Sequence, residues 1–307
     1  MKILVTGSKG LLGTALQNIN HRRHDFTFIS RKECDLMDYW EVRRCIRGAL
    51  KFDCVIHTAG RVGGIKRNLT SPAQQFHENI IINTNVIQAC LEADIDRVVA
   101  FSSACAFPAD ASPFREDNFH LGEPFPAHRS YAYAKRMVDI QIEAYRTQYG
   151  VDYSCVIPCN IFGEADNYSL SESHVIPALI HKAYVAAREG TPLEVWGDGS
   201  ASREFIYSKD LAEATLDVVE YDGPLPQRLL ISSGLEYKIK DIAELIAKFM
   251  GVKEIRWLTD KPNGQLSRPS DSSKFKSMFP NFKLTNIEQA LKSSCEWFEN
   301  HYSIARK

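Results

Sequence analysis

Three glycines after an apolar segment constrain the fold of this chain more than any other feature. Gly7, Gly10 and Gly13 follow KILVT, which has the composition of a buried strand. Gly10 precedes and Gly13 lies within LLGTALQNI, which has the period of a helix. In this spacing the first glycine permits a tight turn, the second lets the backbone approach a pyrophosphate, and the third lets the helix pack closely on the strand. The helix N-terminus would receive the phosphate charge. The sequence therefore predicts a strand–turn–helix unit that binds a dinucleotide.

Strands and helices alternate in the same way along the first half of the chain. The strand-like runs are KILVTG, FTFIS, CVIHTAG, RVVAFSS and YSCVIP, and the helix-like segments are LLGTALQNI, YWEVRRCIRGAL, IIINTNVIQACLEA and SYAYAKRMVDIQIEAYRTQYG. Such alternation implies right-handed crossovers and a doubly wound parallel sheet of the Rossmann type. The predicted fold class is α/β, with a smaller mixed α/β lobe toward the C-terminus.

The pattern of the sequence changes near Gly163: the predicted elements become shorter, and proline, glycine and polar turns interrupt them. REFIYSKDLAEATLDVVE, which starts at Arg203, has the pattern of one more strand and helix that return to the first lobe. We therefore assign residues 1–162 and about 203–222 to a dinucleotide-binding domain. Residues of about 163–202 and 223–307 are assigned to a substrate-binding lobe.

Composition and charge argue against several classes of function. The 307 residues carry a formal net charge of −1 without a long basic or acidic run, which disfavours binding to nucleic acid or to a membrane surface. No apolar run reaches the roughly 18 residues of a membrane span, and the N-terminal strand lacks the features of a signal peptide. The eight cysteines form no CxxC pair, so neither a metal site nor a disulfide framework is expected. A reduced, cytoplasmic compartment is predicted.

The residues after the second predicted strand bear on the choice of cofactor. An acidic residue at this place binds the ribose 2′-hydroxyl of NAD, whereas FTFIS ends in Ser30 and is followed by Arg31. A hydroxyl and a guanidinium suit a 2′-phosphate, which favours NADP(H). Glu33 and Asp35 are close enough in sequence to keep NAD open.

A tyrosine and a lysine in SYAYAKRM indicate acid/base chemistry. Tyr131 and Lys135 are four residues apart, on one face of the predicted helix. A free tyrosine titrates at about pH 10, and an ammonium beside it favours the phenolate, which predicts an acid/base group usable near neutrality. The preceding strand ends in Ser102 and Ser103, where a hydroxyl could hold a substrate carbonyl beside the phenol.

Motifs spread over nearly the whole chain resemble the GDP-L-fucose synthases, in the extended branch of the short-chain dehydrogenase/reductase superfamily. They are GxxGxxG, RVGGI after HTAG, SSACAFP, SYAYAK, IPCNIFG, SHVIPALI, VWGDGSASREFI and DLAEA. The resemblance implies an NADP(H)-dependent enzyme that epimerises GDP-4-keto-6-deoxymannose at C3 and C5 and reduces it at C4, giving GDP-L-fucose. It implies Ser103, Tyr131 and Lys135 as catalytic residues. It also implies a homodimer, in which the helix that carries Tyr131 and the one around Ile80–Leu91 form the contact.

That family carries a cysteine two residues after the catalytic serine and a histidine that opens HVIPAL, which here are Cys105 and His174. A ketone at C4 acidifies the protons at C3 and C5, and inversion needs a base on one face and an acid on the other. A thiolate and an imidazole can both titrate near neutrality in a tuned site. The alternative is that Cys105 is an inert buried thiol and that His174 is a satisfied polar residue at a helix start, with Ser173 as the N-cap.

Motif and resemblance together assign residues to the cofactor and to the nucleotide sugar. The cofactor set is Gly7, Gly10, Leu11, Leu12, Gly13, Ser30, Arg31, Asp35, Leu36, Thr58, Ala59, Gly60, Tyr131, Lys135, Pro158 and His174. The substrate set is Gly64, Ser103, Cys105, Asn160, Lys182, Trp196, Arg203 and Arg268. Arg203 could pair with a pyrophosphate, and Trp196 could shield a base. The family has adjacent basic residues where this chain has Ser267 and Arg268, so one cation fewer is present there.

Two other functions stay open from the sequence. A relative that acts on another GDP-4-keto sugar, such as a dideoxy sugar or a heptose, would perform only reduction or a single inversion; the presence of both Cys105 and His174 favours epimerisation. A non-catalytic NADP-sensing module would need the glycine loop but not Ser103, Tyr131 and Lys135 together.

Overall fold

Strands and helices alternate along the computed structural model, which describes residues 1–19, 24–48, 51–261, 263 and 265–307. The strands are β1 (Lys2–Thr6), β2 (Asp25–Ile29), β3 (Cys54–His57), β4 (Arg97–Phe101), β5 (Asp152–Pro158), β6 (Asn160–Phe162), β7 (Leu193–Trp196), β8 (Ser202–Tyr207), β9 (Arg228–Ile231), β10 (Glu236–Lys238) and β11 (Ile255–Leu258). The helices are α1 (Leu11–Asn18), α2 (Tyr39–Ile46), α3 (Ile65–Thr70), α4 (Pro72–Glu92), α5 (Arg129–Tyr149), α6 (Val175–Glu189), α7 (Ser208–Glu220), α8 (Ile239–Met250), α9 (Ser273–Met278) and α10 (Ile287–Asn300). Short 3-10 helices lie at Ala104–Ala106, Glu116–Asn118 and Pro126–His128.

The main sheet has six parallel strands in the order β2-β1-β3-β4-β5-β9. The strands predicted from the sequence form β1 to β5, so the doubly wound α/β fold is confirmed. The direction in which successive strands are added reverses between β1 and β3. In sheets of this kind, ligands bind at that point, outside the carboxyl ends of the strands. The glycine turn follows β1 at this edge.

Alternate residues of each central strand face opposite helical layers. Ile3 and Val5 of β1 pack with α1 and α7, whereas Leu4 packs on the opposite side with α2, α4 and α5. This division follows from the period of two along a strand. Because both faces are covered, the strands carry continuous apolar runs, which is why the sequence pattern was readable.

A second lobe contains two small sheets, in the orders β10-β8-β6 and β11-β7. Its core lies between these strands and α6, α8 and α10, and it includes Ile176, Leu179, Ile242, Ile246 and Leu291. Within the described part of the chain, no helix combines the length and the apolar character that a membrane crossing requires.

Two strands depart from the predicted division of the chain. β9, which was assigned to the second lobe, pairs with β5 in the main sheet. β8, which was assigned to the first lobe, pairs instead with β6 and β10, although α7 after it does pack on the main sheet. Local periodicity identifies a strand but does not specify its partners, because pairing joins segments that are distant in sequence.

Candidate active site

The glycine turn leaves space that side chains would fill. Gly7 has a φ of +75°, and a Cβ on it would lie 2.7 Å from the backbone of Ala59. A Cβ on Gly13 would lie 2.3 Å from the carbonyl oxygen of Gly7, whose oxygen also accepts from the Gly10 N–H at 2.9 Å. Thr58, before Ala59, donates its hydroxyl to the Thr6 carbonyl at 2.7 Å. The turn at the start of α1 therefore fits a dinucleotide pyrophosphate, and Leu11 and Leu12 are the first residues of this helix.

The side chains that follow β2 differ in how strongly the protein already binds them. The backbone N–H and the hydroxyl of Ser30 both donate to Glu33 Oε2, at 2.8 and 2.5 Å, and these bonds lower the pKa of Glu33. The Arg31 side chain is 66% exposed, and its guanidinium is 3.9 Å from the Asp35 carboxylate. Leu36 packs against the core. The Arg31 guanidinium is thus exposed and paired with Asp35 only at the long distance of 3.9 Å, whereas the Ser30 hydroxyl is engaged by a carboxylate at 2.5 Å.

A hydroxyl, a thiol and a phenol converge at the end of β4. Ser103 caps the 3-10 helix Ala104–Ala106, and its Oγ accepts from the Cys105 backbone N–H at 3.2 Å. The Tyr131 phenol lies close enough to the Cys105 thiol and the Ser103 hydroxyl for both groups to affect its pKa. Burial has the largest effect and raises the pKa of Tyr131. The phenol is therefore protonated at neutral pH.

Lys135 lies one helical turn after Tyr131 but is directed elsewhere. Its Nζ donates to the Phe101 carbonyl at 3.0 Å and lies 3.1 Å from the position that a Cβ on Gly60 would take. Burial lowers the pKa of Lys135 to about 8. The pKa of Tyr131 is affected by burial, Cys105 and Ser103, and the Lys135 ammonium faces a strand carbonyl, so a phenolate stabilised by Lys135 stays a prediction. Ser102 is structural, because its hydroxyl donates to the Lys135 carbonyl at 2.9 Å.

His174 precedes α6 and lies across the loop that follows Gly60. In that loop the Gly64 N–H donates to the Glu172 carbonyl at 2.8 Å, and a Cβ on Gly64 would lie 3.0 Å from the carbonyl oxygen of Ser173. The His174 side chain is open to solvent, yet the protein around it lowers its pKa through desolvation. Ser173 is not the N-cap of α6: that position is His174, and no side chain caps the helix.

Two predicted residues lie where β5 continues into β6. Pro158 is buried at the end of β5 and pairs with Ile231. Asn160, the first residue of β6, donates from Nδ2 to the Glu204 carbonyl at 2.8 Å, which ties it to β8.

Lys182 and Trp196 form a small unit on the second lobe. The Lys182 Nζ lies 5.8 Å from the centroid of the indole ring and donates to the Glu194 carbonyl at 3.2 Å. Trp196 is 59% exposed. An exposed indole that is held by an ammonium offers a flat surface on which a base can stack.

Arg203 and Arg268 lie near each other, and Arg268 also lies near Cys105. Arg203 donates to the carbonyls of Ser202 and Gln265, both at 2.6 Å. After burial, the Arg268 charge is the next largest effect that lowers the pKa of Arg203, and Arg268 in turn is affected by Cys105. Arg268, which the sequence assigns to the substrate, therefore lies close enough to Cys105 for the thiol to affect its pKa.

Two residues of the site were missed by reasoning from sequence. Asn79 of α4 accepts from the Arg61 N–H and donates to the Arg61 carbonyl, both at 3.0 Å, so it fixes the loop after β3. Its signal was a polar residue within the apolar run NIIIN. His128, three residues before Tyr131, is buried, and the Arg268 charge and the Cys105 backbone both affect its pKa. No pattern in the sequence distinguishes it from an ordinary loop histidine.

Comparison with known proteins agrees with this geometry. Residues 3–231 match the NAD dependent epimerase/dehydratase family. The GDP-L-fucose synthase of Dictyostelium discoideum is 38% identical over 312 residues, which cover 99% of this chain and 97% of the relative. The chain belongs to the GDP-L-fucose synthase family.

Members and neighbours of this family share the whole architecture. The crystal structure of a GDP-L-fucose synthetase from Naegleria fowleri bound to NADP has a TM-score of 0.93 and 31% identity, and it covers 100% of this chain and 95% of that one. The GDP-L-colitose synthase of Yersinia pseudotuberculosis is 31% identical over 98% of each chain. Among GDP-L-fucose synthases and these neighbours, similarity therefore extends through both lobes.

Proposed function

We propose that this chain is an NADPH-dependent epimerase–reductase that converts GDP-4-keto-6-deoxymannose to GDP-L-fucose. The observation that supports this most directly is the convergence of the Ser103 hydroxyl, the Cys105 thiol and the Tyr131 phenol at the end of β4. The identity with the Dictyostelium discoideum relative over nearly the full length supports the choice of substrate.

NADPH, when bound, supplies the hydride for C4. The cradle around Gly7 and Gly13 fits its pyrophosphate, and the exposed Arg31 guanidinium fits its 2′-phosphate. In this proposal the cofactor is held by Gly7, Gly10, Leu11, Leu12, Gly13, Ser30, Arg31, Asp35, Leu36, Thr58, Ala59, Gly60, Tyr131, Lys135, Pro158 and His174.

Cys105 and His174 exchange protons at C3 and C5 in the proposed epimerisation. One removes the proton next to the ketone, the C–H electron pair moves onto the ketone oxygen, and the other returns a proton to the opposite face. Ser103 and Tyr131 donate hydrogen bonds to the oxygen while it carries that charge. The lowered pKa of His174 keeps its imidazole neutral at rest, so that this group can accept a proton.

Tyr131 then protonates the C4 oxygen during reduction. Its raised pKa suits this step, because the phenol carries its proton at neutral pH. For the rest of the substrate, we propose that Arg203 pairs with the pyrophosphate, that Trp196 with Lys182 receives the base, and that Gly64, Asn160 and Arg268 line the remaining pocket.

The experiment is an incubation with GDP-4-keto-6-deoxymannose and NADPH in deuterated water, with the product analysed by NMR. Deuterium at C3 and C5 together with reduction at C4 is expected. Cys105→Ser should suppress the exchange and leave NADPH binding intact, whereas Tyr131→Phe should chiefly slow reduction. Cys295→Ser, which removes a buried thiol of α10, is the matched control. Reduction without deuterium, or exchange at the wild-type rate in Cys105→Ser, would contradict the proposal.

A second candidate substrate is another GDP-4-keto sugar, such as a dideoxy sugar. The 31% identity with a GDP-L-colitose synthase favours it, as does the single cation at Ser267–Arg268. The two substrates are distinguished by their kcat/KM values in direct competition. We retain the 6-deoxymannose derivative because the identity with the GDP-L-fucose synthase is higher.

We also propose a homodimer in a reducing cytoplasm. α4 and α5 pack side by side against the main sheet and leave Phe76 and Ile140 exposed at 43% and 42%. These apolar side chains support a contact between the two helices and their copies. All eight cysteines are free thiols, which supports a reducing compartment.

A further inference from the structure

His128 has a ring nitrogen for which the protein provides no partner. The residue ends the 3-10 helix Pro126–His128, and it is 9% exposed. Its Nε2 is buried and makes no hydrogen bond. A buried polar atom of this kind is rare in folded proteins, because its desolvation is not offset by a bond.

Arg268 has the same property and is held in place by its surroundings. One terminal nitrogen of its guanidinium is buried without a partner. The guanidinium lies 4.6 Å from the centroid of the Phe114 ring, and the Arg268 N–H donates to Glu236 at 3.1 Å. Phe114 in turn donates to the Pro269 carbonyl at 2.9 Å. The Phe114 ring, the Arg268 backbone and the segment around Pro269 are all held by these contacts. The guanidinium therefore has little freedom to turn toward another acceptor.

Ring contacts place Arg268 near Cys105: Phe114, beneath the guanidinium, stacks on Phe107 with the ring centroids 4.4 Å apart, and Phe107 follows Cys105 by two residues. The pKa effects connect His128 to the same two groups. The Arg268 charge lowers the pKa of His128, and the backbone of Cys105 acts on the same ring in the opposite direction. The Cys105 thiol also acts on the pKa of Arg268. Phe125 lies 5.6 Å from the imidazole, centroid to centroid. Burial is the largest effect and lowers the pKa of His128 to about 4, so the ring is neutral at neutral pH.

We propose that His128 Nε2 and the free guanidinium nitrogen of Arg268 form a two-point subsite for one hydroxyl group of the keto-sugar, next to Cys105. The proposal rests on the proposed function, and it concerns which sugars the site accepts. A hydroxyl satisfies both groups at once: its oxygen accepts from the guanidinium, and its proton is donated to Nε2 of the neutral imidazole in the tautomer whose ring proton is on Nδ1. A ketone or a phosphate diester has no proton to donate to the imidazole.

This subsite makes His128 a specificity-determining residue. A site that hydrogen-bonds a substrate hydroxyl rejects an analogue without it, because the buried groups are then left unpaired. The ring of the proposed substrate carries hydroxyls at C2 and C3. A sugar that lacks the recognised hydroxyl should bind poorly even where its ketone and nucleotide are unchanged.

The test compares His128→Phe, His128→Gln and Arg268→Met with the wild type. His301→Phe is the matched control, because this histidine follows α10, outside the site. KM, kcat and deuterium exchange are measured with GDP-4-keto-6-deoxymannose and with its analogues that lack the C2 or the C3 hydroxyl. NADPH affinity and Tm are measured for every variant.

We expect His128→Phe and Arg268→Met each to raise KM about 10- to 100-fold for the full sugar, the size of effect that follows from loss of a buried hydrogen bond. Against one of the two deoxy analogues the penalty should disappear, because that hydroxyl is already missing. His128→Gln places an amide near the Nε2 position and should restore KM to within about 5-fold. NADPH affinity should stay at the wild-type value.

Several outcomes would overturn the subsite. One is a wild-type KM in His128→Phe; another is an equal penalty with the full sugar and both deoxy analogues. A loss of Tm and NADPH affinity in all three variants, without rescue by Gln and with Arg268→Met failing in the same way, would assign the pair a structural role. If one of these outcomes is found while the wild type turns over GDP-4-keto-6-deoxymannose, only the proposed subsite is refuted. If the wild type does not turn it over, the proposed function fails and the subsite with it.

Discussion

Burial controls the charge of single residues in this site. It raises the pKa of Tyr131, lowers that of Lys135 to about 8, and lowers those of His128 and His174. In each case the neutral form is favoured, because a charge is costly in a desolvated environment. Acid/base groups that rest in their neutral forms can still donate or accept a proton as the reaction requires.

The Lys135 ammonium is expected to set the upper pH limit of the reaction. Because its pKa is lowered to about 8, the group is charged below that pH and loses its proton as the pH rises through it. If the positive charge supports cofactor binding and reduction, kcat for NADPH oxidation should fall above about pH 8. Lys135→Arg keeps the charge, so its lower activity should not show this fall. A pH profile from 6 to 10 checks both enzymes, and an identical fall in the variant would contradict the assignment.

At the scale of elements, the turn between β1 and α1 depends on backbone space. Two observations limit substitution at Gly7: its φ of +75°, and the 2.7 Å that would separate a Cβ from the Ala59 backbone. The second means that β3 and its loop approach the turn too closely for any side chain. Cofactor binding and the packing of two strands are thus linked through one residue.

Gly7→Ala should therefore cost more than a left-handed conformation alone. Strain and overlap with backbone together should lower the free energy of unfolding by about 2–5 kcal/mol and abolish NADPH binding. Gly150→Ala is the control, because its φ is +71° and no atom lies within 4 Å of the added Cβ. That variant should lose only about 1–2 kcal/mol and keep NADPH affinity. Chemical denaturation measures both, and equal losses would refute the role of close approach.

The elements were predictable from the sequence where the signal is local. β1 to β5 are short, mostly apolar runs, and the glycine turn needs only its own residues and a helix after it. The two different sheets that β8 and β9 join were not predictable, since pairing depends on segments far away in the chain. The same holds for His128 and Arg268, which meet Cys105 although they lie 23 and 163 positions after it. The SYAYAK motif predicts the spacing of Tyr131 and Lys135, but burial has the largest effect on the pKa of each side chain.

At the scale of the whole molecule, both lobes contribute to the same site. The Gly64–Glu172 bond joins the loop after β3 to the segment before α6, and Phe114 pairs with the segment around Ser270. The first connection fixes the segment that leads to His174, and the second fixes the segment that carries Arg268, whose pKa the Cys105 thiol affects. The proposed substrate would therefore be enclosed by parts that are distant in the chain.

Ile140→Glu tests the proposed homodimer. A carboxylate on the exposed face of α5 would be buried without a partner in a contact between copies, so the variant should sediment as a monomer while the wild type sediments as a dimer. Ile304→Glu is the control, because Ile304 is also exposed, at 77%, and follows α10. Its mass should equal that of the wild type. A monomeric wild type in sedimentation equilibrium would rule out the dimer.

The position of β9 determines where this protein can be recombined with its relatives. A chimaera joined near residue 222 would carry a foreign edge strand against β5, whose Cys155–Pro158 are matched to Arg228–Ile231. A crossover after Ile231 keeps all six strands from one parent. Even then the incoming C-terminal part must present a Pro269 carbonyl to Phe114, so residues 113–115 and 268–271 have to be transplanted as a matched pair. Exchange of substrate preference between family members is therefore a two-segment graft and not a swap of lobes.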